Sequence, residues 1–366
     1  MKGRAVRLGS LVRRARAAVG GRSTDVVLKT DGGGWILDQF CRDLKAHLRG
    51  RLSVYVSTVP VAGLRGGIVH YIGGECFYDP AWISSRPHGS NATIGTWWHG
   101  SETTPDPSIR TAASRIAEVS RYLSLVHVTC AISRETIRGY GVPDSKIALV
   151  PMGVDVERFA PVASPAERLR VRRALSIPDN AFVIGSFQKD GVGWGEGDEP
   201  KRIKGPDIFV RVLSRLAQRF RVVALIPGPS RGYLQRALLA AGVPFRRDGF
   251  VPFRDFPPYY HACDLYLMTG REEGGPAAVL ESLASGTPLV GHKVGMAPEV
   301  ISHGVNGFLA DVEDIDALTD GVIRLADSPS LRDRFAREGR ATAERYAWAV
   351  IAPQYERLYA AVRTVA

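Results

Sequence analysis

Residues 264–290 read DLYLMTGREEGGPAAVLESLASGTPLV, and this stretch sets the architecture of the chain. Leu265, Tyr266, Leu267 and Met268 form a short apolar run with the length of a buried strand, and a polar turn through Gly270, Arg271, Glu272 and Glu273 follows. Pro276, with its fixed φ and missing N–H, suits the first position of a helix that stops at Gly286, with Pro288 just beyond. The unit is therefore strand, glycine turn, helix, strand. Two carboxylates mark it, Glu273 at the turn and Glu281 in the apolar helix AAVLESLA, where burial demands a hydrogen-bonding partner. Gly274 and Gly275 allow close backbone approach, and the free N–H groups at the helix start, near Pro276 and Ala277, favour an anion. One carboxylate for hydroxyls, exposed amides for phosphate and a second carboxylate above them are the parts of a nucleotide-sugar pocket. An ordinary βαβ turn carrying one solvated and one half-buried glutamate is the competing reading.

The E-x7-E spacing of Glu273 and Glu281, inside EGGPAAVLESLASGTPLVGHKVGMAPEVISHGVNGFL, resembles the donor-binding signature of the retaining GT-B glycosyltransferases of family 4. The spacing alone is weak; followed by LASGTPLV and PEVI…GVNGFL it is specific. The resemblance covers most of the chain and is strongest from Ala148 onward. It implies an α/β protein of GT-B type, two Rossmann-like doubly wound domains facing across a cleft. The implied division is an acceptor-side domain over residues 1–152, a donor-binding domain over 153–345, and a C-terminal helix over 346–366 crossing back onto the first domain. The turn PMGVDVERFAP, with Gly153 and Asp155, resembles the segment between the two.

A chain of 366 residues is long enough for two domains with separate cores. Hydrophobic content of 45% with 23% charged residues fits a soluble globular protein, and no apolar run reaches the ~20 residues of a membrane span. Cys41, Cys76, Cys130 and Cys263 form no C-x-x-C pair, so a reduced, cytoplasmic setting is expected and a structural zinc site is not. The net charge of +11 is concentrated at the start: Lys2, Arg4, Arg7, Arg13, Arg14, Arg16 and Arg22 all precede Asp25. Leu8, Leu11, Val12, Ala15 and Val19 recur between them at helical spacing, a pattern that suits a surface helix on anionic lipid and equally a solvated tail. The interrupting arginines argue against a secretory signal, and no aromatic-interleaved basic motif points to nucleic acid.

Taken in order, residues 25–29 read as a first strand, followed by Asp31, Gly32, Gly33 and Gly34 and a helix whose apolar period runs through Trp35, Leu37, Phe40, Leu44 and Leu48. The resemblance implies that Gly33 and Gly34 approach the donor; a tight turn with no ligand is the alternative. Strands are expected at 52–56, 68–72, 93–98, 127–132 and 147–150, with helices at 108–124 and from a cap at Ser133 to about Gly139. His99 follows the third of these strands, where open α/β sheets place ligand groups, and the resemblance assigns it to the donor sugar. Trp97 and Trp98 alternate in face, so one of them is buried. In the second half, residues 182–187 form a strand, and QKDGVGWGEGDEPKRIKGPD leads to a helix opening at Pro206 and running to about Phe220. Lys204, at that helix start, adds a full charge to the dipole and matches the lysine that grips the donor pyrophosphate in the family. The arginine that the resemblance implies beside it is missing, since Ser186 stands there, and Lys189 or Arg202 are the candidate replacements, with Lys189 preferred for its closeness to the strand. The nucleobase is expected against backbone near Val251.

These residues together lead to the expectation of a metal-independent retaining glycosyltransferase. It would move a sugar from a UDP- or GDP-linked donor to a glycan, lipid-linked or small-molecule hydroxyl, with His99, Glu273 and Lys204 as the catalytic residues. No cofactor and no metal is required, because Lys204 and helix N-termini meet the diphosphate charge, and the one Asp-x-Asp, Asp314 and Asp316, sits at a helix start where capping explains it. The expected location is cytoplasmic, and any peripheral contact with membrane would come through the basic N-terminal segment. A nucleotide-sugar epimerase or phosphorylase on the same fold, and a sugar-nucleotide-binding protein that has lost catalysis, are the alternatives. Acceptor dependence separates the first from a transferase, and the altered phosphate loop is what supports the last.

Overall fold

The computed structural model describes residues 26–34, 36–61 and 63–363. The basic N-terminal segment expected as an amphipathic helix lies outside the described residues, as does Trp35. Among the described residues two six-stranded parallel sheets form. The first contains β1 (Val26–Lys29), β2 (Val54–Ser57), β3 (Ile68–Tyr71), β4 (Ala92–Trp97), β5 (Leu125–Val128) and β6 (Ile147–Leu149), in the order β2-β1-β3-β4-β5-β6. The second contains β7 (Phe182–Gly185), β8 (Val222–Leu225), β9 (Phe245–Arg246), β10 (Leu265–Met268), β11 (Leu289–His292) and β12 (Gly307–Ala310), in the order β12-β11-β10-β7-β8-β9. The strand order of the second sheet reverses between β7 and β10, as in a doubly wound dinucleotide-binding fold. In the first sheet the reversal falls between β1 and β3. Ligands in such sheets bind outside the carboxyl ends of the strands at these reversals. The fold class is thus α/β of GT-B type.

The helices that position the site are α1 (Ile36–His47), α2 (Ala131–Gly139), α3 (Pro206–Leu216), α4 (Gly232–Ala240), α5 (Ala277–Ala284) and α6 (Trp348–Arg363). Helix α3 buries Ile208, Phe209, Val212, Leu213 and Leu216, one stripe at helical spacing, against β8 and against Leu234 and Leu238 of α4. Pro206 occupies its first turn as expected, while the helix ends at Leu216 rather than near Phe220. In α5 every side chain from Val279 on is buried, so Glu281 is carried into the interior by its neighbours. Pro276 caps this helix with an extended ψ of 103° instead of occupying its first helical position.

Two further expectations shift. The strand placed at 127–132 is β5, residues 125–128, paired Ile94↔Leu125 with β4. Cys130, not Ser133, is the N-cap of α2: its sulfur accepts the Ser133 N–H at 3.4 Å, and the Ser133 hydroxyl donates to the Trp98 carbonyl at 3.0 Å. Asp314 caps its helix by accepting the Ala317 N–H at 2.9 Å, and Asp316 pairs with Arg215.

Helix α6 returns the chain to the first sheet. Its entry is pinned by reciprocal backbone bonds, Val154 N–H to the Tyr346 carbonyl at 2.9 Å and Trp348 N–H to the Val154 carbonyl at 3.1 Å. Tyr359 is hydrogen-bonded to His70 Nδ1 at 2.9 Å and Tyr355 to His127 Nε2 at 3.2 Å, and Thr96 links the two imidazoles. Burial holds both histidines neutral, His127 with its pKa lowered to about 4. Among the described residues no helix is long and apolar enough to cross a membrane.

Candidate active site

The loops that leave β4, β7 and β10 meet where the two sheets face each other. Gly274 lies so close to the Trp98 carbonyl that a Cβ there would collide with it, and the Met296 N–H donates to the Gly274 carbonyl at 2.8 Å. Gly275 backs onto Met152 and Thr129 of the first half. Thr104 donates to the Glu272 carboxylate at 2.6 Å, and the Ala131 N–H at the start of α2 donates to Glu299 at 2.7 Å, so both halves contribute to one seam. The glycines after Glu273 are therefore needed for backbone approach between the halves of the protein.

At this seam the Lys204 ammonium is bound to both oxygens of Glu273, at 2.7 and 2.8 Å. Gly205, in the left-handed region at φ 61°, brings the chain against the Thr269 carbonyl, where any side chain would clash, and this contact fixes Lys204 relative to β10. His99 stands nearby on the loop after β4. Its Nδ1 is shut off from water and has no partner among the described residues. Enclosure lowers its pKa to about 3, and the charges of Lys204 and Lys201 push in the same direction, so the ring is neutral. Trp97 is buried in the core beside Phe77, whereas Trp98 keeps a partly open face and donates its indole N–H to the Ile72 carbonyl at 2.7 Å.

Glu281 lines a separate, narrow recess together with Phe40, Asp43, Met152, Phe253, Ala277 and Trp348. The Tyr260 hydroxyl, on the short helix Pro257–Ala262, donates to its carboxylate at 2.7 Å, which supplies the partner that burial demands. Burial still lifts the Glu281 pKa to about 7 against the pull of Tyr260 and Arg158. Arg158 bridges two carboxylates that line the recess, Asp155 at 2.9 Å and Asp43 at 3.4 Å.

The Gly33 and Gly34 amides already donate to Asp31 and Asp38 of their own loop and the helix after it. Lys189 donates to the Gly191 carbonyl at 3.2 Å and lies 4.8 Å from the centre of the Trp194 ring. Arg202 is exposed, and its carbonyl accepts from Arg271 at 2.7 Å. Val251 is half-buried against the cluster of Tyr259 and Ala262. Lys204, Glu273 and His99 thus come together, Glu281 lies in the adjoining recess, Lys189 is engaged by Gly191 and Trp194, and Arg202 is exposed. Sequence reading misses Tyr260, Thr104 and Lys201; only Lys201, in the charged run DEPKRIK, leaves a local signal.

Residues 200–342 match the family described as glycosyl transferases group 1. The match lies within the half of the chain that carries the second sheet, and that half is similar to this family. The chain is 29% identical over 261 residues to the D-inositol 3-phosphate glycosyltransferase of Saccharomonospora viridis, an alignment covering 67% of this chain and 57% of that relative. The chain spans about half the length of the curated relatives it matches. Among solved structures it is similar to Anabaena Alr3699/HepE in complex with UDP-glucose, at a TM-score of 0.73 and 19% identity over 92% of this chain and 99% of that one. It is also similar to the sucrose-phosphate synthase of Thermosynechococcus elongatus, at a TM-score of 0.75 and 16% identity over 94% and 100% of the two chains. At these identities the structural likeness speaks for the fold alone, and the family match falls on the half that carries Lys204, Glu273 and Glu281.

Proposed function

We propose that this protein is a retaining, metal-independent glycosyltransferase using a nucleotide-diphosphate sugar, with UDP and GDP as the candidate carriers. The observation that carries this reading is the Lys204–Glu273 pair at the seam, beside a neutral His99 whose Nδ1 has no partner among the described residues. Glu273 holds the ammonium that a diphosphate would take. Donor binding would exchange one anionic partner of Lys204 for another, so that Lys204 meets the charge that grows on the leaving phosphate and Glu273 is released toward the anomeric carbon. His99, neutral across the physiological range, is a hydrogen-bonding partner for a sugar hydroxyl, and Glu281 takes the ribose. A front-face displacement, in which the leaving phosphate accepts the acceptor's proton, is the mechanism the family resemblance implies. The protein's part in it is to hold the phosphate, fix the sugar and orient the acceptor.

The UDP-glucose complex of the Anabaena neighbour supports a nucleotide-sugar donor, and the names of the curated relatives make D-inositol 3-phosphate the first acceptor to try, beside glycan and lipid-linked hydroxyls. The test is a thermal-shift screen of nucleoside diphosphates and their sugars in the presence of EDTA, since a ligand that binds only the folded state raises the melting temperature by mass action. At least one diphosphate should raise it, and the matching nucleoside should raise it much less. No shift with any of them would remove the donor site.

A further inference from the structure

Ser186 stands where the family resemblance implies a phosphate-binding arginine, and the chain that follows it is a built element. Residues 190–201 fold as a hairpin: Val192 N–H donates to the Glu199 carbonyl at 2.9 Å, Lys201 N–H to the Asp190 carbonyl at 2.7 Å, and Gly191 bridges Pro200. The hairpin is clamped onto the start of α4. Gly232 and Tyr233 donate their N–H groups to the carbonyls of Glu196 and Gly197 at 2.6 and 2.8 Å, and the Ser230 hydroxyl donates to those of Gly193 and Gly195. At its base Arg231, with no exposed surface, pairs with buried Asp190 at 2.6 Å and donates to the carbonyls of Ser186 and Gln188. A buried ion pair is costly in desolvation and is weak evidence for stability, so its value here is to fix the hairpin's course.

That course sets where the lysines fall. Lys189 is turned onto Trp194, and Arg202 is exposed. Lys201, at the foot of the hairpin and directly before the turn that carries Lys204, is half-buried, and among the described residues no carboxylate or carbonyl holds its ammonium. It acts electrostatically on Lys204, Lys189, Asp106 and Glu273, and on His99 across the seam. Asp106 and Glu273 oppose this positive charge, but Glu273 is already engaged by Lys204, and Lys201 has no contact ion pair of its own among the described residues. Burial and the neighbouring ammoniums both penalise the charge on Lys201, and a bound anion would relieve both.

We infer that Lys201, delivered by the 190–201 hairpin, is the second cation of the diphosphate site, standing in for the arginine that Ser186 replaces. Arg231 and Asp190 are positioning residues for it. The inference rests on the nucleotide-sugar reading and can fail without it.

The test is isothermal titration of the full chain with UDP, GDP, inorganic pyrophosphate and the two nucleosides, on the wild type and on Lys201→Met, Lys201→Arg, Lys189→Met and Arg202→Met. Lys201→Met should lose about ten- to a hundredfold in affinity for pyrophosphate and for the diphosphate that binds, with the nucleoside unaffected and a shallower dependence on salt. Lys201→Arg should keep most of the affinity. Lys201→Gln serves as a second neutral variant should the Met variant melt early. Wild-type binding that both neutral variants reproduce overturns this inference and leaves the donor site standing, as does a larger loss at Lys189 or Arg202. A wild type that binds neither diphosphate nor pyrophosphate overturns both.

Discussion

Glu281→Gln should make the protein more stable at alkaline pH in the absence of donor, while weakening its hold on the donor. Burial lifts the Glu281 carboxyl from its ordinary 4.5 to about 7. A carboxyl whose pKa is higher folded than unfolded binds more protons in the fold, so stability falls as pH rises from 4.5 through 7, and the full cost is present above 7. Each tenfold in proton affinity is worth about 1.4 kcal/mol, so ionising Glu281 costs the folded state about 3 kcal/mol at pH 8 and under about 1 kcal/mol at pH 5. The amide of the variant would keep an oxygen for the Tyr260 hydroxyl and carry no such cost. Differential melting of variant and wild type should therefore favour the variant at pH 8 by roughly 4–6 °C and show little difference at pH 5. The readout is the difference because His70 and His127, buried and neutral, give the wild type a slope of opposite sign. In the same variant, affinity for the bound diphosphate should drop by about 1.5–3 kcal/mol, the scale of hydrogen bonds to a charged group. Wild-type affinity should rise as pH passes through 7, since ribose hydroxyls favour the carboxylate. A variant less stable than wild type at both pH values, with unchanged diphosphate affinity, would show that Glu281 is neither a buried ionised cost nor a donor contact.

Glu273→Gln should bind donor nearly normally and turn over about ten- to a hundredfold more slowly, because a contact that strengthens at the transition state shows in kcat; steady-state kinetics with an unchanged KM and kcat would contradict it. Lys204→Ala should weaken nucleoside diphosphate binding by a similar factor and leave nucleoside binding alone, measured by titration. Removing residues 1–21 should lower co-sedimentation with anionic liposomes at low salt and make the residual binding less sensitive to salt, and equal binding by both forms would rule out a membrane role for that segment.

The βαβ unit at 264–290 is legible because its signals are local: an apolar run, glycines, a proline and a helical period. The strand at 125–128 lies a few residues from its expected place for an equally local reason. Residues 127–132 continue the apolar pattern, but pairing with β4 stops at Val128, and extended Cys130 turns the chain into α2. The contacts that make the site are long-range. Tyr260 reaches Glu281 across 21 residues, and Thr104 reaches Glu272 across 168, so neither has a neighbourhood in sequence that announces it. The missing arginine is visible at Ser186. That the following loop is a hairpin clamped by Arg231 is not, since Arg231 lies 41 residues from Asp190 and reads as one more surface arginine.

The stereochemistry of sugar transfer separates a retaining transferase from every alternative. The full chain, in EDTA, would be given the UDP- or GDP-sugar that stabilises it, labelled with carbon-13 at the anomeric position, together with D-inositol 3-phosphate and a panel of glycan and lipid-linked acceptors. The product's anomeric configuration would then be read by NMR. Transfer should depend on the acceptor, keep the donor's configuration and need no metal. Inversion at the anomeric carbon, turnover only on adding a divalent cation, or consumption of donor that ignores every acceptor would contradict this reading.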